Sequence, residues 1–460
     1  MNKLTSKQRK LVYLAGIVIL LIPIIGLGMP AAREAGSGGT LAQLRQQHEL
    51  GESTLGSIDP TSASMNLVLL GLRGVASTKL WLDAQEQQEH KDWGQLQATT
   101  DSVIMLQPHF LKVWDFQGWN LAYNVSAEWD GVPDRYYWVK EGTKFLIKGT
   151  EQNRQFPDLY WYIGRYTGHK IAQSDEWEFF REYFMKDPDT ETFGGLPDPL
   201  LNPGPLSPDG AAKDNHLVAR DWYLKANEWE GNPHQQHIMM AMLFRHYPYL
   251  MRIEYAKTRQ REGNFGEKTR VAWEIAYRDW TEQFGQEEFY SPGGVIRLDA
   301  DEQTIQSLAK ADNVDPNVKR RWIESYGKTC NYQYWKTLTS AESKKDTRDA
   351  HQLIFKGKLA FREGRTNRRG DNGELPSESQ ELLEQGLAKL QPVMQNYPSL
   401  LNEDNTIELV MLAIRYWFEI HHLNNQPPPE NFPFQELWTL HENRIPNIDL
   451  LFMRENRANR

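Results

Sequence analysis

Three carboxylates, Glu128, Asp130 and Asp134, stand close together directly after an aromatic-rich segment. Glycoside hydrolases use two carboxyl groups that flank a sugar ring, one as acid and the other as base or nucleophile. The cluster therefore favours one class of enzyme, an all-helical, toroid-like hydrolase or lyase that acts on envelope polysaccharides. Acidic residues at short intervals are also typical of the solvated face of an amphipathic helix. Because no further group converges on these carboxylates, we predict no catalytic residue.

Other chemistry-bearing motifs are incomplete. His234 and His237 lie three residues apart, which suits one metal ion on a helix face, but no third ligand with matching spacing follows. The Gly327 to Thr329 stretch, GKT, lacks the earlier glycine of a phosphate-binding loop, since Trp322 occupies that position. Cys330 has no flanking nucleophile motif and is expected to be a small buried side chain. The sequence therefore predicts no metal and no cofactor.

Length, composition and charge limit which classes of protein the chain can belong to. Hydrophobic residues make up 40% of the 460-residue chain and charged residues 25%, so most of the chain should fold. Its length exceeds what one core usually supports, which favours two domains or an extended solenoid. The net charge of -9 argues against nucleic-acid binding.

An uncharged apolar run covers residues 11–29 and is nearly long enough to cross a bilayer as a helix. Four positive charges and no acidic residue precede it: Lys3, Lys7, Arg9 and Lys10. The run therefore predicts a single transmembrane anchor with a cytoplasmic N-terminus, which places the bulk of the chain outside the inner membrane of a bacterium. A cleaved signal peptide is the competing interpretation.

Aromatic spacing predicts helices packed on more than one side. Trp114, Gly118, Leu121, Val125 and Trp129 fall on one helical stripe, and further aromatics form a second. Similar apolar patterns recur along the chain and strand-like alternation is scarce, so we predict an all-α fold. The predicted order is a tail at 1–10, the anchor at 11–29, a linker with a short amphipathic helix at 30–58, and a helical-repeat domain at 59–460. A second candidate boundary lies in the Pro- and Gly-rich stretch near residue 210.

The chain resembles the tetratricopeptide repeat, whose first helix carries an aromatic, then Leu-Gly, then Tyr, and whose second ends at Pro. The matching residues are Trp114, Gly118, Leu121, Tyr160, Ile163, Gly164, Gly386, Leu390, Val393 and Pro398. Gln117 departs from the expected leucine and Thr167 from the expected tyrosine. The chain is thus similar to a degenerate, irregular antiparallel α-solenoid in a membrane-anchored bacterial envelope protein.

This resemblance implies a concave groove lined by the inner side of the first helices. The residues placed there are Lys112, Asp115, Trp119, Asp158, Trp161 and Arg165. Aromatic side chains beside charges suit the capture of an extended peptide. The alternative is that Trp119 and Trp161 are core residues.

A basic patch between residues 344 and 369 has nine Lys or Arg against three Asp or Glu. Its members are Lys344, Lys345, Arg348, Lys356, Lys358, Arg362, Arg365, Arg368 and Arg369. Such a patch suits anionic headgroups or an acidic partner, although a solvated helix surface has the same pattern. Taken together, the sequence predicts a membrane-anchored scaffold that binds partner proteins or peptides. The alternatives are the polysaccharide enzyme and a structural subunit of a membrane complex.

Overall fold

The computed structural model describes residues 6–28, 73–206, 210–231, 239–370 and 374–457. Over these residues the chain is mostly helical, which confirms the expectation of a mainly α-helical protein. One antiparallel hairpin is present among them, formed by β1, Phe289–Ser291, and β2, Gly294–Ile296. The chain divides into two compact units, Met1–Leu159 and Tyr160–Arg460.

The predicted transmembrane anchor is corrected by the structure. Helix α1, Ser6–Gly28, covers nearly all of the predicted range 11–29 and contains Pro23. A span needs a continuous apolar run of about 20 residues. Across the described residues, no helix is both long enough and apolar enough to cross a membrane, so the prediction of a transmembrane signal-anchor is wrong. The inner-membrane location, which depended on this anchor, stays an untested prediction. The linker at 30–58 and the helix start at Asp59 lie outside the described residues.

Beyond α1, residues 73–156 of the first unit form four helices and one π turn. They are α2, Arg73–Glu89; α3, Trp93–Leu106; α4, Leu111–Trp119; the π turn Asn120–Val125; and α5, Val132–Gln152. Trp114 on α4 is fully buried, and its indole Nε1 donates a hydrogen bond to the Pro108 carbonyl oxygen at 2.9 Å. Trp114 is therefore buried in the core with the single polar group of its side chain satisfied.

Glycines allow α4 and α5 to approach closely. A Cβ atom placed on Gly149 would lie 2.9 Å from the ring of Trp114. One placed on Gly142 would lie 2.8 Å from the Gly118 carbonyl oxygen and 2.9 Å from the Ala122 backbone nitrogen. Because these last two neighbours are backbone atoms, they cannot move without shifting the helix.

We expect Gly142→Ala to lower the free energy of unfolding by about 1–3 kcal/mol, since the added methyl group overpacks a backbone contact. Alanine is otherwise the better helix former, so Gly94→Ala on α3 is a matched control. Apart from the backbone of its own helix and its chain neighbours, no described residue has an atom within 4 Å of a Cβ placed at Gly94. That variant should be neutral or gain up to about 1 kcal/mol. Urea unfolding measures both, and equal values for the two variants would contradict the close approach of α4 and α5.

The helix α6, Pro157–Arg165, contains the boundary between the two units, and a π turn, Tyr166–Lys170, continues it. The elements that follow are α7, Ile171–Gln173; α8, Trp177–Met185; α9, Thr190–Phe193; α10, Asn215–Glu228; α11, Ala241–Arg245; α12, Tyr247–Arg261; and α13, Glu267–Arg278. A third π turn, Asp279–Gln283, and a 3-10 turn, Phe284–Gln286, lead to the hairpin.

The second unit ends in a further set of helices. They are α14, Glu302–Ala311; α15, Pro316–Thr329; α16, Tyr332–Glu342; α17, Lys345–Arg362; α18, Glu378–Asn396; α19, Asp404–Leu423; α20, Gln435–Leu440; and α21, Ile445–Arg457. Helices α17 and α18 form an antiparallel pair, in which Gly357 meets Leu383 and Gly386 meets Ile354. The 3-10 turns Pro398–Asn402 and Glu442–Arg444 connect the later helices.

A buried ion cluster joins α8, α10 and α12. The Arg181 side chain on α8 is 3% exposed. Its guanidinium donates hydrogen bonds to Asp214 Oδ2 and Glu262 Oε1, both at 2.8 Å, and to the Asn215 amide oxygen. Asn215 in turn donates to the Thr167 carbonyl oxygen at 2.8 Å. Arg181 thereby fixes the end of α12 and the π turn at 166–170 relative to α8.

Candidate functional site

The predicted groove residues of the first unit have structural partners. Lys112 Nζ lies 2.5 Å from Asp115 Oδ2 one helical turn away. The Trp119 ring stacks on Tyr123, with centroids 3.9 Å apart. Asp158 is 4% exposed and therefore belongs to the interior.

The remaining two predicted groove residues lie in the second unit. Trp161 is 3% exposed, and its ring packs edge-on against Tyr247 at 5.2 Å in a cluster that also contains Tyr223. The Arg165 guanidinium lies over the Trp161 ring, 5.6 Å from its centroid. Trp161 is thus a core residue, whereas Arg165 is half-buried at the border between core and surface.

The acidic cluster lies on the surface of the first unit. Glu128 Oε1 accepts a hydrogen bond from Lys91 Nζ at 2.7 Å, and Asp130 is exposed. Asp134 lies in the first turn of α5, where a negative charge is favourable to the helix dipole. The three carboxylates are therefore exposed to solvent at and just before the start of α5, and Glu128 is paired with Lys91.

The structure provides no support for a metal site at the two histidines or for a nucleophilic cysteine. His234 and His237 lie outside the described residues. Within the part of the chain that is described, no group of three or more His, Cys, Asp or Glu side chains is arranged to hold a metal ion. Cys330 is buried, and this burial raises the pKa of its thiol to about 12. The thiol therefore stays protonated at neutral pH and is a poor nucleophile.

Most of the basic patch is paired within the chain. Lys345 and Arg348 contact Asp349 at 2.8 and 3.0 Å, and Lys358 contacts Glu455 at 2.8 Å. The other pairs are Arg365 with Glu363 and Glu378, Arg368 with Gln426, and Arg369 with Glu381. Lys344 precedes α17, Lys356 is exposed, and Arg362 is half-buried. Local carboxylates thus neutralise much of the positive charge that the sequence shows here.

A different cluster of charges and aromatic rings surrounds Glu254 on α12. Lys257 Nζ lies 2.8 Å from Glu254 Oε1 and 5.4 Å from the ring centroid of Trp335. One turn further along α12, the Arg261 guanidinium lies over the Trp177 ring at only 3.7 Å. We call the residues around this carboxylate the Glu254 face: Glu254, Lys257, Arg261, Arg165, His169, Trp177, Tyr334 and Trp335.

The pKa values of this face show that its charges act on one another. His169 is exposed at the surface, yet partial burial of its ring and then the charge of Arg165 lower its pKa, against the opposing effect of Glu254. Burial also lowers the pKa of Arg261, against the charges of Glu178 and then Glu254. Burial raises the pKa of Tyr334, on which Lys257 and Glu254 also act. Glu254 therefore acts on side chains from α12, α16 and the π turn at 166–170, together with Glu178 on Arg261 and Glu403 on Tyr334.

Helical spacing explains how this face forms. Glu254, Lys257 and Arg261 stand at i, i+3 and i+7, which places them on one side of α12. Arg261 is further held by a hydrogen bond to the Ala172 carbonyl oxygen at 3.3 Å. The spacing within α12 is readable from the sequence, but Trp177 and Trp335 come from segments about 80 residues away on either side, as the numbering shows.

No protein-family model matches the chain, and no curated protein or solved structure matches it significantly. The resemblance to the tetratricopeptide repeat therefore stays a prediction. The Glu254 face is consequently interpreted from its own geometry and chemistry.

Proposed function

We propose that this chain is a helical recognition protein that binds an acidic, extended segment of a partner protein at the Glu254 face. The observation that carries the proposal is the pairing of cations with tryptophan rings at the surface of α12. Arg261 covers Trp177 at 3.7 Å, and Lys257 lies 5.4 Å from the centroid of Trp335.

The composition of this face is that of a binding hot spot. Trp, Tyr and Arg are the residues enriched among those that dominate interface energies. Trp177, Tyr334 and Trp335 are each only partly buried, so part of each side chain reaches the surface. Flat aromatic surface and nearby donors are what an extended peptide requires.

The net positive charge of the Glu254 face favours a partner segment of negative charge. Arg165, Lys257 and Arg261 contribute three positive charges. Glu254 and Glu178, which both act on Arg261, contribute two negative charges, so one positive charge remains in a chain whose net charge is -9. The lowered pKa of His169 keeps that ring neutral at pH 7. A local positive surface on an acidic protein attracts acidic segments and repels basic ones.

Selection from a phage-displayed library of random peptides tests this proposal without knowledge of the partner. We expect the wild-type protein to recover peptides enriched in Asp and Glu. The double variant Lys257→Glu with Arg261→Glu should lose that enrichment and bind a recovered acidic peptide at least about tenfold more weakly, a change of about 1.4 kcal/mol. Fluorescence anisotropy of the labelled peptide gives the dissociation constants.

Lys328→Glu is the matched control. Lys328 is an exposed lysine of α15 paired with Glu324 at 2.6 Å, so its reversal alters the net charge away from the Glu254 face. This variant should behave like the wild-type protein. Unbiased peptide recovery by the wild-type protein, or an unchanged acidic preference in the double variant, would exclude the Glu254 face as the binding surface.

A further inference from the structure

Two arginines on neighbouring helices form a second charged cluster, separate from the Glu254 face. Arg220 lies on α10 and Arg252 on α12, and these two helices pack against each other. The Arg220 side chain is 20% exposed and that of Arg252 is 25% exposed. Burial, followed by the charge of Arg220, lowers the pKa of Arg252. The two guanidinium groups are thus close enough to repel each other while solvent still reaches both.

Neither arginine has a well-directed carboxylate partner in the described part of the chain. Arg252 Nε lies 3.4 Å from Asp279 Oδ2, and Arg220 contacts Asp221 Oδ1 at 3.8 Å. The Nε atoms of both side chains are buried, and neither makes a hydrogen bond with any described residue. A buried donor without an acceptor costs free energy that a bound acceptor would recover.

The nearby carboxylates are shared with other groups. Asp221 accepts a hydrogen bond from Lys213. Asp279 accepts one from the Gln283 amide at 3.0 Å and lies 3.7 Å from Arg278. The four cations Arg220, Arg252, Lys213 and Arg278 thus face two carboxylates, Asp221 and Asp279, which leaves two positive charges.

The border of this cluster is also charged. Arg245 lies between Glu230 at 2.5 Å and Glu287 at 3.9 Å. The Tyr249 hydroxyl donates a hydrogen bond to Glu287 at 2.8 Å, and burial raises the pKa of that carboxyl. Counting Arg245 with both glutamates still leaves the cluster with one positive charge in excess.

We infer that Arg220 and Arg252 form an oxyanion site for a phosphate group. A guanidinium donates paired hydrogen bonds to phosphate oxygens, and two such groups can satisfy several oxygens of one tetrahedral anion. The anion would supply acceptors for the two Nε donors and remove the repulsion between the guanidinium groups. The group is either free phosphate or the phosphate of a phosphorylated side chain. This inference does not depend on the Glu254 face.

Isothermal titration calorimetry with inorganic phosphate and with a phosphoserine peptide tests the site, at constant ionic strength set with chloride. We expect saturable binding of at least one probe. Arg220→Gln and Arg252→Gln should each weaken it about tenfold or more, because each removes a charged hydrogen-bond donor. Arg320→Gln, which removes an exposed arginine paired with Glu302, should leave binding unchanged.

The two probes identify the source of the phosphate group. Tighter binding of the peptide assigns the site to a phosphorylated partner, and comparable binding of both probes assigns it to free phosphate. Absence of saturable heat with either probe, or equal affinity in the Gln variants, would overturn the assignment. Arg220→Lys keeps the charge but loses the paired donors, so it should also weaken binding. This variant replaces Arg220→Gln in the test if the glutamine variant does not fold.

Discussion

Replacement of Arg181 by methionine is expected to lower the free energy of unfolding by about 3–5 kcal/mol, because it leaves acidic partners uncompensated in a largely buried cluster. Arg181 donates hydrogen bonds to both Asp214 and Glu262 at 2.8 Å. Burial lowers the pKa of the Arg181 guanidinium, but Asp214 and Glu262 raise it by more, so the net effect is a raised pKa. The variant would also release the connection between α8 and the end of α12, which carries Arg261.

Arg270→Met is the matched control for this prediction. Arg270 likewise bridges two carboxylates, those of Glu267 and Glu274, but these pairs lie on the exposed side of α13. Water screens such pairs, so the control should change stability little. Urea unfolding at pH 7 measures both variants. A similar loss of unfolding free energy in the two variants would show that the contribution of Arg181 to stability does not depend on its burial.

Acidification is expected to destabilise the second unit through two buried histidines. Burial lowers the pKa of both His216 and His246 to about 4. In the unfolded chain a histidine has a pKa near 6.5, so between about pH 6.5 and 4 the unfolded state binds protons that the folded state does not. Stability therefore falls as the pH drops through this window. At pH 5 each histidine should cost about 2 kcal/mol relative to pH 7, and up to about 3 kcal/mol near pH 4.

His351 has the opposite effect. Burial lowers the pKa of His351, but the carboxylate of Glu342, 3.0 Å away, raises it by more, so the net effect is a raised pKa. A raised pKa gives stability that is present below about pH 6.5 and lost as the pH rises through the folded value. The net acid sensitivity is therefore smaller than the sum for His216 and His246.

A double variant separates these contributions. We expect His216→Gln with His246→Gln to show a smaller loss of stability between pH 7 and pH 5 than the wild-type protein, whatever its stability at pH 7. His422→Gln is the control, since His422 is exposed on α19. The comparison uses urea unfolding at both pH values. Equal pH dependence in the double variant and the wild-type protein would contradict the neutral, buried state of these two rings.

Local patterns in the sequence predict much of the helical architecture. Trp114, Gly118, Leu121 and Val125 are all buried, as their spacing predicts, because the stripe packs on α5. Trp129, placed on the same stripe, is 43% exposed instead. The π turn at 120–125 adds a residue to the helix, and the helix ends soon after it. Trp129 therefore does not lie on the same side as the buried stripe.

Contacts between distant segments are what the sequence alone does not reveal. The partners of Arg181 lie 33 and 81 residues away from it, and Lys358 pairs with Glu455 across 97 residues. A local count of charges therefore overestimates the free positive charge of the basic patch and overlooks the Glu254 face. The apolar run at 11–29 shows the same limit, since composition predicted a span that the described helices do not bear out.

The π turn Tyr166–Lys170 gives the Glu254 face an unusual sensitivity to chain length. A π turn accommodates one extra residue within a helix, and it is this turn that carries His169. Deletion of a single residue there would restore a regular α-helix and rotate the side chains on one side of it by about 100° relative to those on the other. Arg165 and His169 would then no longer share their present orientation. Deletion of one residue would thus rearrange the Glu254 face without any substitution in it.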